Sequence, residues 1–176
     1  MRLLLLRHAK SSWKDGGLDD HERPLNRRGR SAATAMGRYL LEERLLPDLA
    51  LVSSARRTQE SWARLTAAWP APPPVKVLRG LYLAPPSHLL AQIRRVPATA
   101  RTLLVLGHNP GLESLARQLA GPKSGALARG ELQEKFPTGA LALFDCAIDG
   151  WEALRPRGAS LLRLVTPRTL TGEAGD

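Results

Sequence analysis

Leu3-Leu4-Leu5-Leu6-Arg7-His8-Ala9 places four consecutive leucines directly ahead of an arginine and a histidine. Four leucines in a row, this short and this close to a charged residue, read as a strand covered on both faces of a sheet. In open α/β sheets ligands collect beyond the carboxyl ends of the strands. Arg7 and His8 are therefore expected at the mouth of a pocket. A single histidine at a strand end is commonly half-exposed and without chemistry, so the rest of the chain has to supply its partners.

Outward from that stretch, strand and helix patterns alternate. A helix is expected over 26–46, with Ala32, Ala35, Met36, Tyr39 and Leu40 on one face and Pro47 as its stop. A second strand covers 49–53, and a helix over 55–69 runs into Pro70-Ala71-Pro72-Pro73-Pro74, a rigid turn. A third strand at 75–78, a short helix at 86–95 with Pro86 in its first turn, a fourth strand at 102–106 and a helix at 111–119 opened by Asn109-Pro110-Gly111 follow. The rhythm then changes. Strands at 140–146 and 160–165 are joined through Asp149-Gly150 with no helix long enough for a crossover, so one of them runs antiparallel. The expected fold is an α/β three-layer sandwich with a mostly parallel central sheet of about six strands and helices on both faces. One domain is expected over 1–176, with residues 170–176 as a frayed tail.

Composition narrows the function classes. The 176 residues are 43% apolar, but no apolar stretch is long enough to span a bilayer. The first residues lack the longer apolar segment and small-residue cleavage site of a secretory leader. A cytoplasmic protein with no membrane association is the expectation, and oligomeric state has no signature in the chain. The lone Cys146 reads as a buried, inert thiol inside an alternating apolar run. A net charge of +10, carried mostly by arginine, is scattered through every segment and is not interleaved with aromatics. No nucleic acid is expected as partner, because no helix-turn-helix, zinc-finger or RNA-binding signature accompanies that charge. A diffuse positive field that draws anions into a cleft fits better. No metal is implied, since His8, His21, His88 and His108 show no ligand spacing, and without Gly-rich phosphate loops no nucleotide cofactor is implied either.

The polar residues just past the strand ends are Arg7 and His8, then Ser53-Ser54 with Arg56 and Arg57, then Arg79, then His108. Parallel strands bring those ends to one edge. Histidines and arginines converging there, with backbone N–H groups from the helix after His108, describe an anion site of phosphoryl size. Read singly, His108 could be a helix-cap histidine, and Arg23 a solvated loop cation or half of a surface ion pair.

Arg7-His8-Ala9, the run Ser53-Ser54-Ala55-Arg56-Arg57-Thr58-Gln59-Glu60-Ser61 and Gly107-His108-Asn109-Pro110-Gly111 resemble the histidine phosphatase, or phosphoglycerate-mutase-like, superfamily. Lys10-Ser11-Ser12-Trp13, the stretch from Asp20 to Asn26, Leu81-Tyr82-Leu83-Ala84 and Phe136-Pro137-Thr138-Gly139-Ala140 are similar to its SixA-type branch of phosphohistidine phosphatases. The likeness covers nearly the whole chain in order. It implies His8 as nucleophile, Arg7 and Arg57 as the arginines on the phosphoryl oxygens with Ser61 four residues after Arg57, and His108 completing a charge clamp. Arg23, Asn109 and Thr138 are implied as substrate-binding residues, with a phosphohistidine-bearing protein as substrate. Many superfamily members carry a carboxylate acid after the third strand, where this chain has Arg79-Gly80-Leu81-Tyr82-Leu83-Ala84-Pro85-Pro86. A phosphohistidine protonated on its other ring nitrogen leaves as neutral imidazole and needs no such acid. Asp15, Asp19, Asp20 and Glu22 are candidate substitutes, though they also read as a solvated loop run. A phosphatase or mutase for small metabolites, and a non-catalytic phosphate-binding module, stand as alternatives.

Overall fold

The computed structural model describes residues 1–14 and 16–171. Six strands form one sheet in the order β3-β2-β4-β1-β5-β6. They are β1 (Arg2–Arg7), β2 (Leu49–Ser53), β3 (Val75–Leu78), β4 (Thr102–Gly107), β5 (Leu141–Asp145) and β6 (Ser160–Val165). Pairings β1–β4, β4–β2 and β2–β3 are parallel, whereas β5 is antiparallel to both β1 and β6. A single strand, β5, thus runs against the rest.

The leucine run is central because it is apolar on both faces. Leu3 and Leu5 join Leu103, Val105, Ala142 and Phe144 against α3 (Pro86–Arg94), α4 (Gly111–Leu119) and α5 (Ala126–Glu134). Leu4 and Leu6, pointing the other way, join Leu104, Leu106, Leu141 and Leu143 against α1 (Arg27–Glu42) and α2 (Arg56–Thr66). Period-two alternation of side chains makes both layers from one strand. The expected three-layer sandwich is what forms.

Boundaries differ in places with visible causes. α1 stops at Glu42 rather than 46, because Arg44 takes φ 55 and the Leu45 N–H turns back to the Leu40 carbonyl. α5 was not expected at all. It buries only Ala128 and Leu132 among nine residues and leaves Leu127 exposed, too thin an apolar stripe to register in sequence. The tail expected to fray from residue 170 is helical through Thr171 in α6 (Pro167–Thr171), and 172–176 lie outside the described residues. Among the described residues no helix is long and apolar enough to cross a membrane.

Two glycines let layers approach closely. A Cβ at Gly37 of α1 would overlap the Leu65 carbonyl of α2, and one at Gly29 would overlap the Lys10 carbonyl in the loop that leaves β1. Gly37→Ala gains roughly 1 kcal/mol of helix propensity but forces backbone apart at a cost of about 1–3 kcal/mol or more. A net loss of stability is expected, read as a lower urea midpoint at unchanged slope.

Candidate active site

Register is what pairs the two histidines. Arg7 of β1 lies opposite Gly107 of β4, and the His8 N–H donates to the Gly107 carbonyl at 3.1 Å. The residues that follow, His8 and His108, therefore emerge side by side, with ring centroids 5.1 Å apart. Ser53 ends β2 alongside, and its Oγ lies 2.8 Å from His108 Nε2. Both histidines are buried.

The His8 tautomer follows from its partner. His8 Nδ1 sits 2.7 Å from the Ala9 carbonyl, which can only accept, so Nδ1 carries the proton and Nε2 keeps its lone pair. Burial, reinforced by the charges of Arg57, Arg7 and Arg23, lowers its pKa to about 4 against the pull of the Ala9 hydrogen bond. Burial also brings His108 down to about 3, with the charges of His8 and Arg57 adding to it. Both rings are neutral at pH 7. His108 thus enters as a hydrogen-bonding group.

Three arginines converge on the histidines. Arg7 donates Nη1 to the Phe136 carbonyl at 2.9 Å, and burial lowers its pKa. Arg57 stands at the start of α2 with its side chain only 4% exposed, giving Nη1 to the Asp20 carbonyl at 2.5 Å and Nη2 to Asp20 Oδ2 at 2.9 Å. Ser61 Oγ holds that turn in register, donating to the Arg57 carbonyl at 2.6 Å and accepting the Ala9 N–H at 3.0 Å. Arg23 is buried, with Nε on the Ser12 carbonyl, Nη1 on Asp20 Oδ1 at 2.8 Å and Nη2 on Ser11 Oγ at 2.6 Å. Its guanidinium carbon lies 3.1 Å from the centroid of the Trp13 ring.

Neighbours in sequence part company here. Arg56 points outward and pairs with Glu60 at 2.8 Å. Arg79 is exposed in the 3-10 turn after β3 and takes no part in the cluster. Asn109 gives Nδ2 to Glu113 Oε2 at 2.8 Å and to the Phe136 carbonyl at 3.0 Å. Thr138 is half-buried on the turn where Gly139, at φ 77, donates its N–H to the Arg7 and His8 carbonyls. Arg7 Nε, His108 Nδ1 and Asn109 Oδ1 are buried without a hydrogen-bond partner among the described residues. Buried polar atoms are rarely left so; Arg7 Nε–H and His108 Nδ1 can donate to an oxyanion, whereas Asn109 Oδ1 can only accept.

The sequence offers Asp20 only as one of four loop carboxylates, candidate acids or a solvated run, and gives Tyr82 no role of its own; the Asp20 carboxylate binds Arg23, Arg57 and the Tyr82 hydroxyl, the last at 2.5 Å. Burial pushes its pKa up, but hydrogen bonds from Tyr82 and Arg23 and the charge of Arg57 outweigh that, holding it well below the usual carboxylate range. The spacing Asp20–Arg23 on one turn was the available signal. His21 anchors the same turn through Ser54 Oγ at 2.9 Å. Asp15 lies outside the described residues. Among the described residues no three His, Cys, Asp or Glu side chains gather to hold a metal ion.

The model of the histidine phosphatase superfamily, branch 1, matches residues 3–82. Rv1276c of Mycobacterium tuberculosis is 35% identical over 164 residues, 93% of this chain and 100% of that one. The SixA of Nakamurella multipartitia has a TM-score of 0.81 at 31% identity, over 94% of this chain and 95% of that one. The α-ribazole phosphatase of Shigella flexneri shares the fold at 17% identity and TM-score 0.61, over 95% and 97% of the two chains. The chain belongs to the histidine phosphatase superfamily and is of the SixA type. It is a phosphatase of that superfamily.

A neutral His8 has a measurable signature. Its ring resonances in NMR should hold still through pH 6.5 and move only near pH 4. A folded-state pKa below the unfolded value means that the unfolded chain takes up protons first. Stability is thus full above about pH 6.5 and lost as pH falls toward 4, with a smaller acid loss expected in His8→Ala.

Proposed function

We propose that this protein is a cofactor-independent phosphatase that dephosphorylates phosphohistidine on a partner protein, passing the phosphoryl group through His8. The observation that carries the reading is the His8 ring, neutral at pH 7, with Nδ1 tied to the Ala9 carbonyl and Nε2 free among Arg7, Arg57 and His108. Nε2 attacks phosphorus with its lone pair, and the bond to the leaving nitrogen breaks with its electron pair going to that nitrogen. The phosphorylated His8 ring keeps its Nδ1 proton on the Ala9 carbonyl. Water then attacks phosphorus, the P–N bond breaks, and the electron pair returns to Nε2.

Arg7 and Arg57 supply planar N–H donors to the equatorial oxygens. His108 can donate from Nδ1 when Ser53 donates to its Nε2, adding a hydrogen bond without a buried charge. Arg23, Asn109 and Thr138 line the approach. Positioning and electrostatics are most of what phosphoryl transfer needs. Support for a protein substrate comes from the rim, where Trp13 is 78% exposed and Leu83, beside Tyr82, is 52% exposed. A small metabolite bearing an alkyl phosphate needs an acid for its leaving oxygen, and Asp20 is held ionised.

Turnover of a phosphohistidine peptide, a phosphoserine peptide and a sugar phosphate should rank in that order. Efficient sugar-phosphate or phosphoserine hydrolysis with slow phosphohistidine turnover would overturn the substrate assignment. His8→Ala should abolish turnover, and an acid-free quench of the parent enzyme should trap phosphate on His8. Arg57→Ala should lose on the order of 2–4 kcal/mol of transition-state stabilisation. Arg56→Ala should change kcat/KM by less than about 0.5 kcal/mol, and the opposite ranking would move the clamp to Arg56.

A further inference from the structure

Asp20 holds a position that phosphate binding alone does not explain. Its Oδ1 accepts from Arg23 at 2.8 Å, while Oδ2 accepts from Arg57 at 2.9 Å and from Tyr82 at 2.5 Å. A carboxylate offers roughly four lone-pair directions, so one acceptor direction is left. The side chain is 43% exposed against 4% for Arg57, which puts that direction toward the mouth of the site. The place is tied to the histidines by a short series of contacts: His8 to His108 at 5.1 Å, His108 to the Tyr82 ring at 5.4 Å, then the Tyr82 hydroxyl to Asp20.

In-line displacement fixes where the leaving group goes. His8 is at the buried floor, so a phosphoryl group attacked by its Nε2 has its departing atom on the outward side; Asp20, 43% exposed and bound to Arg57 and Tyr82, is the carboxylate joined to the site from that more open side. We propose that Asp20 is a catalytic acceptor for the leaving group, taking a hydrogen bond from the distal ring N–H of the substrate imidazole and thereby favouring phosphohistidine over phosphate esters. The inference rests on the phosphohistidine reading above. The P–N bond breaks with its pair on the departing nitrogen, the distal nitrogen keeps its proton, and neutral imidazole leaves. A nearby carboxylate stabilises the protonated form of a bound imidazole, and that is the form able to leave neutral. An ester receives nothing from Asp20, which has no proton to give. The charged and titratable groups facing Asp20 are Arg57 from α2, Arg23 from its own loop, Tyr82 after β3 and, at longer range, His108.

Asp20→Asn keeps the shape and an acceptor oxygen but not the charge. Its kcat should be measured on a phosphohistidine peptide and on p-nitrophenyl phosphate, whose leaving group departs unprotonated. The ratio of the two should fall about tenfold or more, the size of one unit of imidazole pKa, and the alkaline limb of kcat for the peptide should move to lower pH. Equal changes for both substrates would make Asp20 a scaffold for Arg23 and Arg57 and overturn the inference. So would equal gains, which would mark it as an anion competing for those arginines. If the parent enzyme leaves the phosphohistidine peptide untouched while hydrolysing the aryl ester, the substrate reading itself fails and this inference with it.

Discussion

Two buried guanidinium groups, Arg23 and Arg57, and a half-buried third, Arg7, gather at one end of the sheet, and the state of the other groups in the site depends on how their charge is met. Arg7 is answered by the Phe136 carbonyl and, at longer range, by Glu113; Arg23 and Arg57 are answered by Asp20. Arginine tolerates this burial because its charge is delocalised over a rigid fork of donors and is not shed by deprotonation. Histidine does not, and so it yields. The charges of the three arginines add to burial in keeping His8 neutral, which is the only form in which its ring can act as a nucleophile. In the proposed mechanism one arrangement of charge serves both the anion and the attacking nitrogen.

Parallel pairing then does the positioning at no separate cost. The register that sets Arg7 opposite Gly107 also sets His8 beside His108, and Ser53, ending the next strand, falls within 2.8 Å of the His108 ring. α2 begins three residues later with Arg57 turned inward and Arg56 outward to Glu60. A rotation of roughly 100° per helical residue separates two adjacent arginines into a buried one and a solvated one. Gly29, admitting the Lys10 carbonyl against α1, lets the loop after His8 fold back so that Arg23 reaches the same point.

Strands were legible because their signal is local and two-sided. The bounds of β1, β2, β3 and β6 coincide with the largely apolar runs at 2–7, 49–53, 75–78 and 160–165, since polar, proline or glycine residues lie at or within two residues of each end. α5 was not legible because two buried residues in nine leave no stripe to read. Asp20 failed for another reason. Four carboxylates lie close together in 15–22, and apart from the local spacing to Arg23 what separates Asp20 from the rest is the position of Arg57, 37 residues away, and Tyr82, 62 residues away. His108 was legible as a member of the edge, whereas the lowering of its pKa was not, because that depends on burial and on the charges of His8 and Arg57 around it.

The positive balance of the chain divides along the same line between buried and exposed. Arg56 and Arg117 are spent on helical partners four residues away, Glu60 and Glu113, in the exposed pairs that contribute little to stability. Such cations, scattered over the surface, raise the potential around the molecule and are screened within about 8 Å at physiological salt. Under the proposed function they draw a phosphorylated partner near but do not orient it. Under the same reading orientation belongs to Arg7, Arg23 and Arg57, whose forks are fixed by backbone carbonyls and by one carboxylate and which are less exposed to screening than the surface cations. A net charge of +10 and the proposed phosphoryl site are therefore two separate properties of this chain, one set by arginine number and the other by the few arginines that the sheet edge and its loops draw inward.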